Sequence, residues 1–187
     1  MIYQDAWKDG RAIANGYREC EGRYSIVREF CRKLDGPFTV CDIGANMCYF
    51  GLRLTEDFPR CSVMAFEFDH FKIRADHVRK SDKTGRLLLI NRKLTIADIE
   101  TLGKIHHFDI VLALSILHHL PGSHEQWMQA LRNLADHLIA EFAGDDNASR
   151  VKLRNGYCIP DDAVLLGAGK SHLANAQRPI VAISTKR

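Results

Sequence analysis

No stretch of this 187-residue chain approaches the roughly 20 consecutive apolar residues of a membrane-spanning helix. Its opening residues, Met1 to Arg11, also lack the apolar core of a secretory leader, so no membrane partner is expected and the expected compartment is cytoplasmic. The six cysteines, Cys20, Cys31, Cys41, Cys48, Cys61 and Cys158, include no Cys-x-x-Cys pair. Some lie in or beside apolar runs, a pattern that suits reduced thiols packed as small hydrophobes and excludes a disulfide framework or a zinc site. Neither sign of charge dominates: 26 Lys and Arg against 23 Asp and Glu leave a net charge of +3, which permits an anionic partner but does not demand one. Internal repeats and low-complexity segments are absent too. With 46% hydrophobic and 26% charged residues, the composition is that of a packed domain.

Short apolar runs alternate with amphipathic ones along the chain. The runs Phe38 to Ile43, Val63 to Phe66, Leu87 to Ile90, Phe108 to Leu114 and His137 to Phe142 have the length and apolar character of parallel strands covered on both faces. Between them, Tyr49 to Asp57, Asp69 to Lys80, Thr95 to Leu102 and Ser123 to Leu134 read as helices, with Asp69, Thr95 and Ser123 as N-caps. A short helical piece, Ala148 to Leu153, and two last strands, Ala163 to Leu166 and Pro179 to Ser184, complete the pattern. The class is α/β. One domain over 1–187 is expected, with an N-terminal segment, 1–36, read as one or two helices over Trp7 to Leu34, ahead of the main core, 37–187.

The richest stretch is Val40-Cys41-Asp42-Ile43-Gly44-Ala45-Asn46-Met47-Cys48-Tyr49-Phe50-Gly51, a strand, a glycine turn and a helix start. Glu67 closes the next apolar run. A carboxylate at the end of the second strand of such a unit bonds a ribose hydroxyl pair, and the glycine lets the backbone approach the ligand. A dinucleotide site needs three glycines spaced G-x-G-x-x-G to bring a helix N-terminus to the pyrophosphate. Only Gly44 and Gly51 are present here, which disfavours a nicotinamide-dependent oxidoreductase.

These residues resemble motif I of the class I S-adenosylmethionine-dependent methyltransferases in its Asp-Ile-Gly-Ala-Asn variant. Two further segments join the resemblance: Phe66-Glu67-Phe68-Asp69, and Phe108-Asp109-Ile110-Val111-Leu112-Ala113-Leu114-Ser115-Ile116-Leu117-His118-His119-Leu120, similar to the family's fourth strand with its Leu-His-His ending. It covers about Phe38 to Ser184. The resemblance implies a Rossmann-like doubly wound sheet, mostly parallel, of seven strands in the order 3-2-1-4-5-7-6 with an antiparallel terminal hairpin. It implies S-adenosylmethionine as cofactor, held by Asp42, Gly44, Ala45, Asn46, Glu67 and Ser115. Gly44 and Asn46 line the turn, Glu67 meets the ribose, Asp42 orients the loop or holds water near the cofactor's amino group, and Ser115 faces the methionine moiety or the acceptor. Cys48 departs from the pattern, standing where the family keeps its third glycine, and a side chain there would crowd the methionine end.

Methyl transfer is an in-line displacement that needs alignment, and a base only where the acceptor loses a proton. Histidine titrates near pH ~6.5 and suits that task, so His118 or His119 is the candidate base, with helix packing as the alternative. A metal site from His118, His119 and His124 has no carboxylate or cysteine to complete it. The expected activity is methyl transfer to an oxygen or nitrogen of a small-molecule acceptor. The alternatives are a non-catalytic or partner-dependent cofactor-binding module, with Cys48 as its sign, or an enzyme acting on a nucleic acid or other polymer. The Pro-Pro-Tyr/Phe motif of adenine methyltransferases and the Pro-Cys pair of cytosine-C5 enzymes are both missing. The cluster Lys72, Arg74, Arg79, Lys80, Lys83, Arg86, Arg92 and Lys93, interleaved with Asp69, Asp76 and Asp82, reads as a solvated helix face. Gly169-Lys170-Ser171 is half of a phosphate loop and reads as a hairpin loop. Tyr17, Arg18, Arg23 and Tyr24 are candidates for the acceptor pocket or for helix packing.

Overall fold

The computed structural model describes residues 2–143, 159–170 and 177–185. They fall into two compact units, Met1–Lys93 and Leu94–Arg187. Seven strands make the mostly parallel sheet flanked by helices that the sequence led us to expect. The expected helix at 148–153 lies outside the described residues, as does Ser171.

The first unit opens with a hairpin where helix was expected: β1 (Ala6–Lys8) pairs antiparallel with β2 (Arg11–Ala14). The reason lies in Asp9-Gly10, both with positive φ (51° and 74°), the two-residue Asp-Gly turn whose twist matches a hairpin. Only α1 (Glu21–Cys31) is helical in this segment, burying Arg23, Tyr24, Val27 and Cys31 on one face. Then β3 (Phe38–Ile43), α2 (Tyr49–Asp57), β4 (Cys61–Glu67), α3 (Phe71–Ser81) and β5 (Leu87–Asn91) follow. The strand order is β5-β4-β3, all parallel pairs, as in the expected 3-2-1 half.

Three devices hold α2 in place. Gly51 is the point of closest approach to the sheet, since a Cβ there would lie 2.9 Å from Leu87 Cδ1 and 3.3 Å from Val63 Cγ1. The Arg86 guanidinium donates to the carbonyls of Phe58 (2.8 Å), Cys61 (2.7 Å) and Thr55, satisfying carbonyls at the C-terminus of α2. Arg53 lies over the rings of Trp7 (4.0 Å) and Tyr24 (4.2 Å), while its Nη1 donates to Glu21 and to Tyr49 Oη (2.9 Å). Each such cation–π contact contributes about 0.5–2 kcal/mol. This cluster fastens β1 and α1 onto α2.

The second unit carries α4 (Ile96–Ile105), β6 (Phe108–Leu114), a 3-10 turn (Leu117–His119), α5 (His124–Leu134), β7 (Ala135–Glu141), β8 (Val164–Lys170) and β9 (Gln177–Ser184). Its strand order, β6-β7-β9-β8, is the expected 4-5-7-6 half; β6 and β7 pair parallel, and β9 runs antiparallel to both neighbours. Gly169 and Lys170 stand in β8, not in a loop. Thr95 caps α4 in a full capping box with Asp98, and the Ser123 side chain accepts from the Gln126 N–H at the start of α5. The third expected cap fails. His70, left-handed at φ 46°, precedes α3 without a side-chain cap bond, and the Asp69 carboxylate stands beside Arg74 Nη2 (3.7 Å) and His70 Nε2 (3.6 Å). No helix among the described residues is long and apolar enough to cross a membrane.

Candidate functional site

In an open α/β sheet, ligands bind beyond the carboxyl ends of the strands, and the first unit concentrates its backbone strain there. Gly44 (φ 72°), Asn46 (φ 51°) and Cys48 (φ 56°) all take left-handed conformations between β3 and α2, and His70 does so after β4. For a residue with a Cβ this costs roughly 1–2 kcal/mol, less for asparagine. Such strain clusters at binding sites and persists only where surrounding bonds over-determine it.

Here the bonds can be counted. Gly44 and Ala45 donate to Phe66 O (3.0 and 3.1 Å), Asn46 to Glu67 Oε2 (2.9 Å), Met47 to Asn46 Oδ1 (3.0 Å) and Cys48 to Ala45 O (2.8 Å). Five consecutive N–H groups are thus satisfied by the protein itself. The loop offers none of them to a pyrophosphate, which agrees with the missing glycines. Gly44 and Asn46 are half-buried, whereas Ala45 and Cys48 are buried. The Cys48 thiol therefore points into the protein, and burial followed by Asp42 and Glu67 pushes its pKa well up, leaving it unreactive.

Glu67 ties this loop to the next. Its Oε1 accepts from the N–H groups of Phe68 (2.8 Å) and Asp69 (2.9 Å), and its Oε2 meets Arg74 Nη1 at 2.7 Å besides Asn46. Asp42 lies behind, buried, with Oδ2 lacking any hydrogen-bond partner. Burial, then the Glu67 charge, pushes the Asp42 carboxyl up to about 7, against a smaller opposing pull from Arg23. Phe68, with 52% of its surface exposed, presents a flat apolar face next to Glu67, and Lys93 Nζ sits 5.3 Å from its ring centre. Sequence reasoning assigned no role to Phe68 and read Arg74 as part of a solvated helix face, whereas the structure buries Arg74 against Glu67. The spacing of Arg74, seven residues after Glu67 and on the first turn of α3, is the signal that was available.

In the second unit Ser115 follows β6 directly in another left-handed conformation, φ 58°. Its hydroxyl donates to Glu141 Oε2 (2.6 Å) and accepts from Arg178 Nη1 (3.2 Å), and all three residues are buried. Glu141 and Arg178 were not foreseen, since they come from β7 and β9, far along the chain. His118 is half-buried and His119 exposed, their ring centres 4.0 Å apart in the 3-10 turn. No group of three or more His, Cys, Asp or Glu able to hold a metal exists among the described residues.

Of the proposed acceptor contacts near the N-terminus, Arg18, Arg23 and Tyr24 are fully buried; only Tyr17 is exposed. Arg23 donates to Glu19 O and Tyr24 to Asp57, so packing claims both. In the basic cluster Arg79 and Lys80 are exposed and pair with Asp76, as a solvated helix face would, while Arg86 bonds the carbonyls above. A polar groove lined by His107, Gln129, Arg132, Asn133, Asp136 and Thr185 lies at the amino ends of β6 and β7. That is the opposite strand end from Ser115.

No protein-family model matches the chain, and no curated protein matches its sequence. Solved structures do. The bifunctional kinase-methyltransferase WbdD superposes with a TM-score of 0.76 at 21% identity, over 100% of this chain and 44% of that one. The N-terminal domain of EvdMO1 with SAH bound gives 0.66 at 15% identity, over 99% and 92%. An O-methyltransferase family protein from Burkholderia thailandensis gives 0.59 at 14%, over 90% and 57%. This chain spans less than half the length of WbdD. At these identities the likeness establishes the fold, a Rossmann-like one shared with methyltransferases.

Proposed function

We propose that this chain is an S-adenosylmethionine-dependent methyltransferase acting on an oxygen or nitrogen of a small-molecule acceptor. The observation that carries this reading is the strained Gly44 to Cys48 loop bonded onto Glu67 at the carboxyl ends of β3 and β4. The residues fit a nucleoside that carries no phosphate. The loop's own donors are consumed, so there is no pyrophosphate cradle; Glu67 is the carboxylate for a ribose hydroxyl pair, and Phe68 supplies a face for a base. The unpaired Oδ2 of Asp42 fits an ammonium group, reached directly or through water. S-adenosylmethionine supplies a methyl group on a sulfonium, which leaves the protein to align the acceptor and to remove its proton where it has one to lose.

We assign Ser115, fixed by Glu141 and Arg178, to orienting the methionine end or the acceptor, and His118 or His119 to taking the acceptor's proton. Two likenesses favour oxygen as the atom methylated: one neighbour is an O-methyltransferase family protein, and EvdMO1 was also solved in the presence of SAH and D-fucose. Calorimetric titration with S-adenosylmethionine, S-adenosylhomocysteine and NAD tests the reading. Saturable binding of the first two without the third is expected; binding of NAD alone, or of none, overturns it.

A further inference from the structure

Glu67 has no acceptor to spare. A carboxylate offers roughly four lone-pair positions, and the donors on Glu67 are the N–H groups of Asn46, Phe68 and Asp69 and the guanidinium of Arg74. The first three are backbone groups of the two turns that Glu67 joins, and none can leave without undoing its turn. Arg74 is the only side chain among them. It reaches in from α3, and a second carboxylate, Asp69, lies 3.7 Å from its Nη2. The Arg74 and Glu67 side chains are only 10% and 7% exposed, so this is not a solvent-screened surface pair.

A ribose hydroxyl that bonds Glu67 must therefore take the place of a donor already there, and the one free to move is Arg74. We propose that Arg74 is the affinity-setting residue of the nucleoside site: the cis-diol of a nucleoside binds Glu67 by exchange with the Arg74 guanidinium, which transfers to Asp69. The proposal rests on the reading of Glu67 as the ribose contact. Arg74 then acts as an internal competitor. If it occupies Glu67 for about nine-tenths of the time, apparent affinity is lowered about tenfold. Lysine in its place competes as well, though as a point charge without the planar fork.

The test is calorimetric titration of the full chain with S-adenosylhomocysteine, with circular dichroism to confirm folding of each variant. Arg74→Met should bind about tenfold more tightly than the native protein, and Arg74→Lys should return most of the way to native affinity. The gain should vanish in the Glu67→Gln background. If Arg74→Met does not fold, Arg74→Gln carries the same expectation. Unchanged or weaker binding by Arg74→Met, with Glu67→Gln weakened, overturns the exchange and leaves Glu67 as the ribose contact. Unchanged affinity in Glu67→Gln removes the ribose contact itself, and the exchange with it.

Discussion

Asp42 is held in the first unit at a cost that depends on pH, and Asp42→Asn exposes that cost. Its carboxyl is raised from 3.8 to about 7 by burial and by Glu67. In the unfolded chain it ionises near its ordinary value, so between about pH 4 and pH 7 the native state binds more protons than the unfolded one. Stability therefore falls as pH rises through this window and levels off above it. Each pH unit inside the window costs about 1.36 kcal/mol, so the loss between about pH 4.5 and pH 8 comes to about 3 kcal/mol. Asparagine does not titrate, and whatever its amide costs in that pocket is the same at both ends of the window. The stability of Asp42→Asn minus that of the native protein should thus become more favourable to the variant by about 3 kcal/mol from about pH 4.5 to pH 8. Urea unfolding at each pH, extrapolated linearly to water, measures the difference. A gap that stays constant within about 1 kcal/mol would refute the desolvated carboxylate.

Two further substitutions address residues singled out in the sequence. Cys48→Gly removes a left-handed strain of about 1–2 kcal/mol together with a buried thiol, so stability should change by no more than about 1 kcal/mol in urea unfolding. Because the thiol is buried, S-adenosylhomocysteine affinity should shift by less than about threefold; a sharp rise would mean that Cys48 blocks the site and would favour a binding module over an enzyme. Once an acceptor that loses a proton is known, one of His118→Ala and His119→Ala should lower turnover by about 10²-fold or more while the other stays near native. Native turnover in both removes the proposed base.

The regular core was legible because its physics is local. Phe38–Ile43, Tyr49–Asp57 and Phe108–Leu114 carry the period and length of their elements in the residues themselves, and the structure returns those bounds. The N-terminal hairpin was equally local, in Asp9-Gly10, but strands this short, with all of β2 exposed, carry no apolar alternation to mark them. Asp69 looked like a cap because it precedes an amphipathic run; the left-handed His70 stands between it and α3, and its carboxylate lies beside Arg74, a turn geometry that composition does not encode. Ser115, Glu141 and Arg178 meet across more than 60 residues of chain, a pairing fixed by strand order. A single sequence shows each residue but not that they touch.

The burial of Glu67 also explains how the loop can carry its strain. Asn46 and Cys48 each take a conformation that an isolated chain would leave, yet the loop is pinned from outside where Asn46 N–H is fixed on Glu67 and from within where Cys48 N–H closes on Ala45 O. A single carboxylate thus orders the β3–α2 turn, the β4–α3 turn and the first turn of α3. Removing it takes the acceptor from the N–H groups of Asn46, Phe68 and Asp69 and leaves Arg74 with Asp69 alone, and each donor left unsatisfied away from water costs about 1–3 kcal/mol. Truncation of Glu67 to alanine would therefore report on folding before it reported on ligand binding. Glutamine, which keeps an acceptor for part of this network, is the substitution that separates the two roles.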